Sequence, residues 1–511
     1  MHRCLQIQEL LSIIFQNVCI QGTLARLART CTDFRDPALN VLWHTQNTFL
    51  PLFECLPRDA WVIKKKKFVS NNLEIKNYPS LNMFVIQCIS RKLTASDFGR
   101  IYFYSHRIKV FCQRSHSVDL EDQVLAIIWS RKPSPGPLLC NVLEAEIDGN
   151  SFNGLAIQAR LIIGPCIRKI QVHVLEESST WSNIIATLRK AAPLDLSSFM
   201  LLGGLRNLPC LESESLELLS TFRSVRTLAI IEIFLTSHAI NMIGTLPALE
   251  DLRLSITEQL MQHYNPSDGN NFPLLTHLEI CSETTNACRL LLLKIQSKTL
   301  RSLKVRRTGI AHWAVRRLFV ALHASNLASR LETLILCDSL GHTFEINAYT
   351  VERLDSFKHL RELSIYPTCV DLDDNHLTQL AKALPHLRLL SFNKPYNPRI
   401  IPKCTFIGLQ HLVQFCPKLE RLTLCIDARQ IPIFSTQPDG EYLLGLHLTT
   451  LNLCTAPVLN ACDVASYLIT LFPALTNFST DYDCIEDDDD SIVNRYCIIW
   501  SKVQELLEHV I

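Results

Sequence analysis

Leu419-Glu420-Arg421-Leu422-Thr423-Leu424 is the clearest copy of a six-residue phrase, L-x-x-L-x-L, that recurs along most of this 511-residue chain. The other copies are centred on Ala145, Ile170, Phe199, Leu228, Leu252, Leu278, Leu303, Leu334, Leu363, Leu390, Leu451 and Phe478. From one copy to the next, the middle apolar residue advances by 24 to 32 positions. The first three copies and the last are the least regular.

The spacing within the phrase predicts a strand with one buried side. The fourth and sixth residues are two apart, so on a strand their side chains face the same way. Apolar residues at helical spacing follow several copies, as at Leu377, Leu380 and Leu384, and a proline such as Pro385 precedes the next phrase. This period is the signature of leucine-rich repeats, which stack side by side into one core. We therefore predict an α/β fold, a leucine-rich-repeat solenoid of about thirteen repeats with a curved parallel sheet inside and helices outside.

Overall composition excludes a general attraction to polyanions. Lys and Arg number 50 and Asp and Glu 49, a formal net charge of +1. The chain as a whole therefore shows no preference for nucleic acid or for an anionic membrane surface. No apolar window is long enough for a membrane-spanning helix, and Arg3 and Glu9 interrupt the N-terminal apolar stretch, which does not fit a signal peptide.

The twenty cysteines indicate a reducing compartment. They form no C-x-x-C pair and no zinc-ligand spacing with histidine, so we expect scattered thiols and no metal. These features predict a cytoplasmic protein. The four-lysine run from Lys64 to Lys67 is either a nuclear address or a solvated loop.

Three short helices are predicted before residue 45. Apolar residues from about Gln8 to Val18 share one helical face. Gly22 and Thr23 are expected to break the chain and cap a second helix that begins at Leu24. Asp36-Pro37 has the form of an N-cap followed by proline at the first helical position, which predicts a third helix from there.

The runs CLQIQELLSIIFQNV and TLARLARTCTDFRDPALNVLW resemble an F-box, and the second run ends in a phrase similar to that of the large fungal F-box families. F-boxes bind the Skp adaptor of cullin–RING ubiquitin ligases, and leucine-rich repeats are a common target-binding domain beside them. The resemblance implies a small all-α F-box-like domain at the N-terminus. It also implies that adaptor contacts come from Leu5, Ile7, Leu10, Leu11, Ile14, Phe15, Leu24, Leu27, Leu42 and Trp43.

Four regions follow from these patterns. Residues 1–44 are the F-box-like domain, and residues 45–135 are an irregular connector and N-terminal cap of the solenoid. The repeats occupy residues 136–483, after the breaker Pro133-Ser134-Pro135-Gly136-Pro137. Residues 484–511 are an acidic loop and a capping helix, with an apolar face that includes Ile492, Ile499 and Val503.

Target recognition is expected on the face of the sheet opposite the helices. In each repeat the third, fifth and seventh residues, counted from the first leucine, point to that face. Both charge signs occur there on three successive strands, which suits a specific protein surface. The residues predicted to contact a target are Arg253, His277, Glu279, Lys304, Arg306, Tyr366 and Arg421.

No catalytic motif is present. The chain lacks G-x-G-x-x-G, G-K-[ST], H-E-x-x-H and G-x-S-x-G, so we expect neither an enzyme nor a cofactor. The favoured function is target recognition for a cullin–RING (SCF-type) ubiquitin ligase through a Skp-type adaptor. The alternative is a leucine-rich-repeat scaffold that binds proteins without any ligase and whose N-terminus only caps the solenoid.

Overall fold

A computed structural model of the chain forms two compact units, Met1–Phe234 and Leu235–Ile511. It describes residues 7–67, 82–113, 122–148, 154–174, 179–191, 195–203, 221–233, 235–265, 271–307, 315–338, 345–367, 369–392, 401–433, 444–484 and 491–509.

The first unit opens with three helices, α1 Gln8–Gln16, α2 Gln21–Leu27 and α3 Thr32–His44. They enclose a small apolar core. Its buried members are Leu11, Phe15, Leu24, Ala28 and Ala38.

Two of the predicted helix boundaries are wrong. Gly22 and Thr23 lie inside α2, in its first turn, where backbone N–H groups need no acceptor within the helix. The third helix begins at Thr32 rather than after Asp36, and Pro37 lies within it. The Asp36 carboxylate accepts a hydrogen bond from Arg107 Nη2 at 2.7 Å instead of capping a helix.

In the described part of the first unit, six strands form a parallel sheet. The strands of this unit are β1 Thr45–Gln46, β2 Trp61–Lys67, β3 Asn82–Ile89, β4 Val110–Cys112, β5 Glu144–Asp148, β6 Lys169–Val174, β7 Ser198–Gly203 and β8 Thr227–Ile231. The sheet order is β1-β4-β5-β6-β7-β8. Its helices beyond α3 are Leu50–Phe53, Gly99–Ser105, Asp122–Arg131, Gly154–Ile162 and Ser179–Ala191, with 3-10 turns at Arg58–Ala60 and Ala95–Phe98.

The described residues between 45 and 135 contain more regular structure than expected. Strands β1 and β4 are already parallel members of the sheet, before the first predicted repeat at residue 136. Strands β2 and β3 pair antiparallel, so the lysine run from Lys64 to Lys67 lies in a strand and not in a loop. The turn at Ala95–Phe98 is capped by the side chains of Thr94 and Asp97. The four predicted regions themselves stay predictions.

Among the residues of the second unit that the structure describes, nine strands form a parallel sheet. The strands of this unit are β9 Asp251–Ile256, β10 His277–Ser282, β11 Ser302–Arg307, β12 Thr333–Asp338, β13 Glu345–Asn347, β14 Glu362–Ile365, β15 Cys369–Asp371, β16 Leu389–Phe392, β17 Arg421–Thr423, β18 Thr450–Asn452 and β19 Asn477–Ser479. The sheet order is β9-β10-β11-β12-β14-β16-β17-β18-β19, and β13 pairs separately with β15.

Helices alternate with these strands, and many of the helices are N-capped by the side chain of the residue that precedes them. Thr236, Thr257, Thr284 and Asp373 each accept a hydrogen bond from the first helical turn, which is the usual role of an N-cap. The helices are Ser237–Gly244, Glu258–His263, Thr285–Lys294, Val315–Ala324, Ala348–Val351, Asp374–Ala383, Phe406–Phe415, Ala461–Leu471 and Ser491–Glu508, with 3-10 turns at Ala328–Arg330, Leu354–Ser356 and Asp481–Cys484.

The apolar residues of the phrase form the core, as predicted. Leu252 and Leu254 are fully buried, and their counterparts Leu303 and Val305 are too. Parallel register aligns each phrase with the next, for example Leu278 with Leu303. The α/β leucine-rich-repeat fold predicted from the sequence is confirmed.

The last helix, Ser491–Glu508, buries Val503 as predicted but is rotated so that Ile492 faces solvent. Val493, Trp500 and Val503 are buried, whereas Ile492 is 57 % exposed. Trp500 decides this rotation, because its ring lies 5.6 Å from that of Phe478 and its Nε1 donates to the Ala456 carbonyl at 2.7 Å. The helix covers the end of the sheet beside β19.

Two observations concern ligands and membranes. Among the helices of the described ranges, none combines the length and the hydropathy that crossing a bilayer requires. The described His, Cys, Asp and Glu side chains include no group of three or more that is arranged to hold a metal ion.

Candidate protein-binding surfaces

A charged cluster occupies neighbouring strands of the second unit. It is formed by Asp251, Arg253, Glu279, Lys304 and Arg306, and we call it the strand cluster. Parallel register places Arg253, Glu279 and Lys304 side by side on β9, β10 and β11. These residues occupy alternate strand positions to the buried leucines, so they lie on the face that the sequence indicates.

Glu279 is the centre of the strand cluster. Its carboxylate lies 2.9 Å from Arg306 Nη2, 3.3 Å from Lys304 Nζ and 4.0 Å from Arg253 Nε. Residue Glu279 is only 8 % exposed, while the three cationic side chains are between 32 % and 43 % exposed. The cluster therefore has a shielded anion beneath three cations that still reach solvent.

The environment of the strand cluster shifts two nearby pKa values. The hydrogen bond from Arg253 to Asp251 raises the pKa of Arg253, against the opposing effect of burial. Burial raises the pKa of the Cys337 thiol, although Lys304 and Arg306 favour the thiolate. Cys337 is therefore a neutral neighbour of the cluster and not a reactive anion.

Three other residues predicted to contact a target lie apart from Glu279. His277 is exposed and shares a hydrogen bond of 2.8 Å with Thr276. Tyr366 is 39 % exposed and follows β14, which β12 separates from β11. Arg421 on β17 lies 3.8 Å from Glu362. The structure thus brings together Arg253, Glu279, Lys304 and Arg306, with His277 at the edge, but leaves Tyr366 and Arg421 elsewhere on the sheet.

An apolar surface lies on the first helix. Ile7, Leu10, Ile13 and Ile14 are between 39 % and 57 % exposed, and Ile20 before α2 is 68 % exposed. At 100° per residue, the first four share one arc of α1 and its N-cap. We call these five residues the α1 surface.

The residues predicted to contact the adaptor separate into core and surface. Ile7, Leu10 and Ile14 belong to the α1 surface. Leu11, Phe15 and Leu24 are less than 5 % exposed, so they cannot contact a partner and instead support the surface. Of the remaining four, Leu27 and Leu42 pack against the core of the three helices. Trp43 stacks on Tyr104, with 4.5 Å between the ring centroids. Leu5 lies outside the described residues.

Sequence reasoning missed two sets of residues. Ile13 and Ile20 were absent from the predicted adaptor contacts, although helical spacing from Ile7 and Leu10 would have found Ile13. The second position of the phrase precedes the strand, so strand alternation does not predict the direction of its side chain. Charged residues occupy it in five successive phrases and form ion pairs there, as between Arg361 and Glu332 at 3.2 Å.

Comparison with known proteins gives a distant likeness only. No protein-family model matches the chain, and no curated protein matches it. Among solved structures, an internalin (inlF) of Listeria monocytogenes is 14 % identical, with 67 % of this chain and 86 % of that one covered at a TM-score of 0.32. A yeast Rad7 and Elc1 complex is 13 % identical, with 70 % and 82 % covered at 0.34. The leucine-rich repeat-containing protein LegL7 of Legionella pneumophila is 13 % identical, with 62 % and 92 % covered at 0.30.

Proposed function

We propose that this chain is the target-recognition subunit of a cullin–RING (SCF-type) ubiquitin ligase. In this proposal residues 7–44 bind a Skp-type adaptor, and the repeats hold a target protein in the cytoplasm or nucleus. The leucine-rich-repeat fold is a protein-binding fold. The further assignment to a ligase rests on the F-box resemblance together with the α1 surface.

The α1 surface is the observation that carries the proposal. Exposed apolar side chains that stand alone are normal on a soluble protein, but a contiguous set marks an interaction site. Here Ile7, Leu10, Ile13 and Ile14 stand together on one arc of a nine-residue helix. Beneath them Leu11 and Phe15 are buried, so the helix has a separate face for its own core.

The small size of the helical unit agrees with this reading. Three short helices bury little apolar surface by themselves, and domains of this size depend on further contacts for stability. Covering the α1 surface with an adaptor would add such contacts. The unit would then be held from two sides, by the partner and through the hydrogen bond between Asp36 and Arg107.

The role of the chain would be positioning rather than chemistry. A target held on the repeats and a ligase held at residues 7–44 share one molecule, which raises the effective concentration of each for the other. The strand cluster is the proposed target contact, with the exposed parts of Arg253, Lys304 and Arg306 available to an acidic partner.

The test is the affinity of the full chain for a purified Skp-type adaptor, measured by calorimetry. The variant Leu10→Asp with Ile14→Asp changes two exposed residues and leaves the helical core intact. Burying one such side chain contributes about 1.5–3 kcal/mol, so the double variant should bind at least about 100-fold more weakly. Ile433→Asp is the matched control, since Ile433 is 93 % exposed on the other unit.

Two results would contradict the ligase assignment. One is a wild-type chain that does not bind the adaptor. The other is a Leu10→Asp, Ile14→Asp variant that binds as tightly as Ile433→Asp. Either result would favour a repeat scaffold that binds proteins without any ligase.

A further inference from the structure

A cavity of about 510 Å³ lies in the second unit at the edge of the sheet where the strands begin. The charged residues that line this cavity are predominantly positive. Glu332 is the one carboxylate among the lining residues, against six cations: Lys298, Arg301, Arg330, Arg361, Arg388 and Lys418. Because the whole chain carries a net charge of only +1, this excess is local. We call these seven residues the basic edge.

Register explains how distant residues meet there. Arg301, Glu332 and Arg361 each immediately precede a strand, at the second position of the phrase. Arg388 does the same for β16, and Lys418 lies two residues earlier than the corresponding position before β17. Parallel pairing of β11, β12, β14, β16 and β17 therefore brings the basic edge together from five repeats.

Part of the basic edge already binds carboxylate. Glu332 forms ion pairs with Arg301 and Arg361, from the repeats on either side of it. One repeat further along, Arg388 Nη1 lies 3.5 Å from Glu420. Arg301 and Arg361, which precede alternate strands, thus share the carboxylate of Glu332 between them.

Other cations of the basic edge have no such partner among the described residues. Lys298, Arg330 and Lys418 are exposed, and no carboxylate among the described residues forms an ion pair with them. Gathering like charges without counter-ions costs electrostatic free energy, which an anionic ligand would recover. Guanidinium groups, present in Arg330 and its neighbours, match the planar geometry of carboxylate in particular.

The shape of the basic edge selects the kind of anion. Five strands at about 4.8 Å spacing extend over about 19 Å, which is the length of about six residues of extended chain. A single small anion would contact only one or two of the cations along this line. A peptide with several carboxylates can repeat the contact that Glu332 makes, from one repeat to the next.

We infer that the basic edge binds an extended acidic peptide segment of another protein. Aspartate and glutamate side chains of the segment pair with Lys298, Arg330 and Lys418, and its backbone runs across the strand beginnings. This site is distinct from both the strand cluster and the α1 surface, and it does not depend on adaptor binding.

The experiment uses fluorescence polarisation with the full chain at low salt. The probe is a labelled eight-residue peptide of alternating Glu and Ser, and the neutral probe has Gln in place of Glu. The variant Arg330→Glu with Lys418→Glu reverses the charge of two exposed side chains, neither of which forms an ion pair with a described residue. The control, Arg316→Glu with Arg317→Glu, makes the same change at exposed positions of the helix Val315–Ala324.

The wild-type chain and the control should bind the acidic peptide alike, with affinity that falls as salt rises. The Arg330→Glu, Lys418→Glu variant should bind at least tenfold more weakly, and the neutral peptide should not bind. Several outcomes would overturn the inference: no binding by the wild type, equal loss in the control, or displacement of the peptide by pyrophosphate or a short single-stranded oligonucleotide at equal charge concentration.

Discussion

Replacing Glu279 by glutamine should loosen the second unit's sheet at β10. Glu279→Gln keeps the shape of the side chain but removes the negative charge that Arg253, Lys304 and Arg306 share. The three cations would then repel one another beside a side chain that is only 8 % exposed. Their loss of a partner should favour local opening of β10.

The free-energy cost of Glu279→Gln should lie between the values typical of buried and of exposed ion pairs. Removing one member of a buried ion pair costs about 3–5 kcal/mol, whereas an exposed pair contributes about 0–1 kcal/mol. The carboxylate of Glu279 is shielded, but the cations are roughly one-third exposed or more and can regain water. We therefore expect Glu279→Gln to lower the free energy of local opening by about 2 kcal/mol. Backbone amides that exchange through this opening should then exchange roughly 30-fold faster.

Native-state hydrogen exchange of peptides that cover His277–Ser282 measures this effect directly. Glu362→Gln is the matched control, because Glu362 also lies on the sheet but is 38 % exposed and has Arg421 at 3.8 Å. The control should change exchange by less than about threefold. Unchanged exchange in Glu279→Gln, or an equal increase in both variants, would refute the assigned role of Glu279.

Three further predictions concern the core and the thiols. Gly408→Ala should destabilise the second unit by about 1–3 kcal/mol in urea unfolding, because a Cβ there would lie 2.6 Å from both Asp374 Oδ1 and Leu377 Cδ1; stability equal to wild type would contradict this contact. Trp500→Ala should cost about 3–5 kcal/mol and increase proteolysis near β19, since Trp500 is 2 % exposed; unchanged proteolysis would reject the capping role of the last helix. Burial raises the pKa of the Cys288 and Cys416 thiols to about 12. At pH 8, alkylation mapped by mass spectrometry should therefore label the exposed Cys140 and Cys166 first. Equal labelling rates for all four cysteines would show that Cys288 and Cys416 are not buried.

The repeating part of the fold could be predicted because its signal is local. The phrase has a period of two within each strand, and that period alone decides that Leu252 and Leu254 are buried while Arg253 is not. The same reasoning predicted the neighbours of Glu279, since parallel repeats with equal phrases align in register.

The parts that could not be predicted depend on contacts distant in sequence. Asp36 has the local pattern of an N-cap, but its carboxylate binds Arg107, which lies 71 residues later in the chain. The rotation of the last helix follows from Trp500, whose indole reaches the Ala456 carbonyl. The basic edge was missed because its members precede the strands, where alternation says nothing about side-chain direction.

Residues 7–44 are proposed to bind a Skp-type adaptor through the α1 surface. Hydrogen exchange of the full chain, with and without saturating purified adaptor, is the sharpest test of this claim. We predict strong protection of peptides that cover Ile7 to Ile20, weaker protection of α3 through a more stable helical core, and none in Leu235–Ile511. Protection confined to the repeats, or no protection anywhere at saturating adaptor, would contradict the claim.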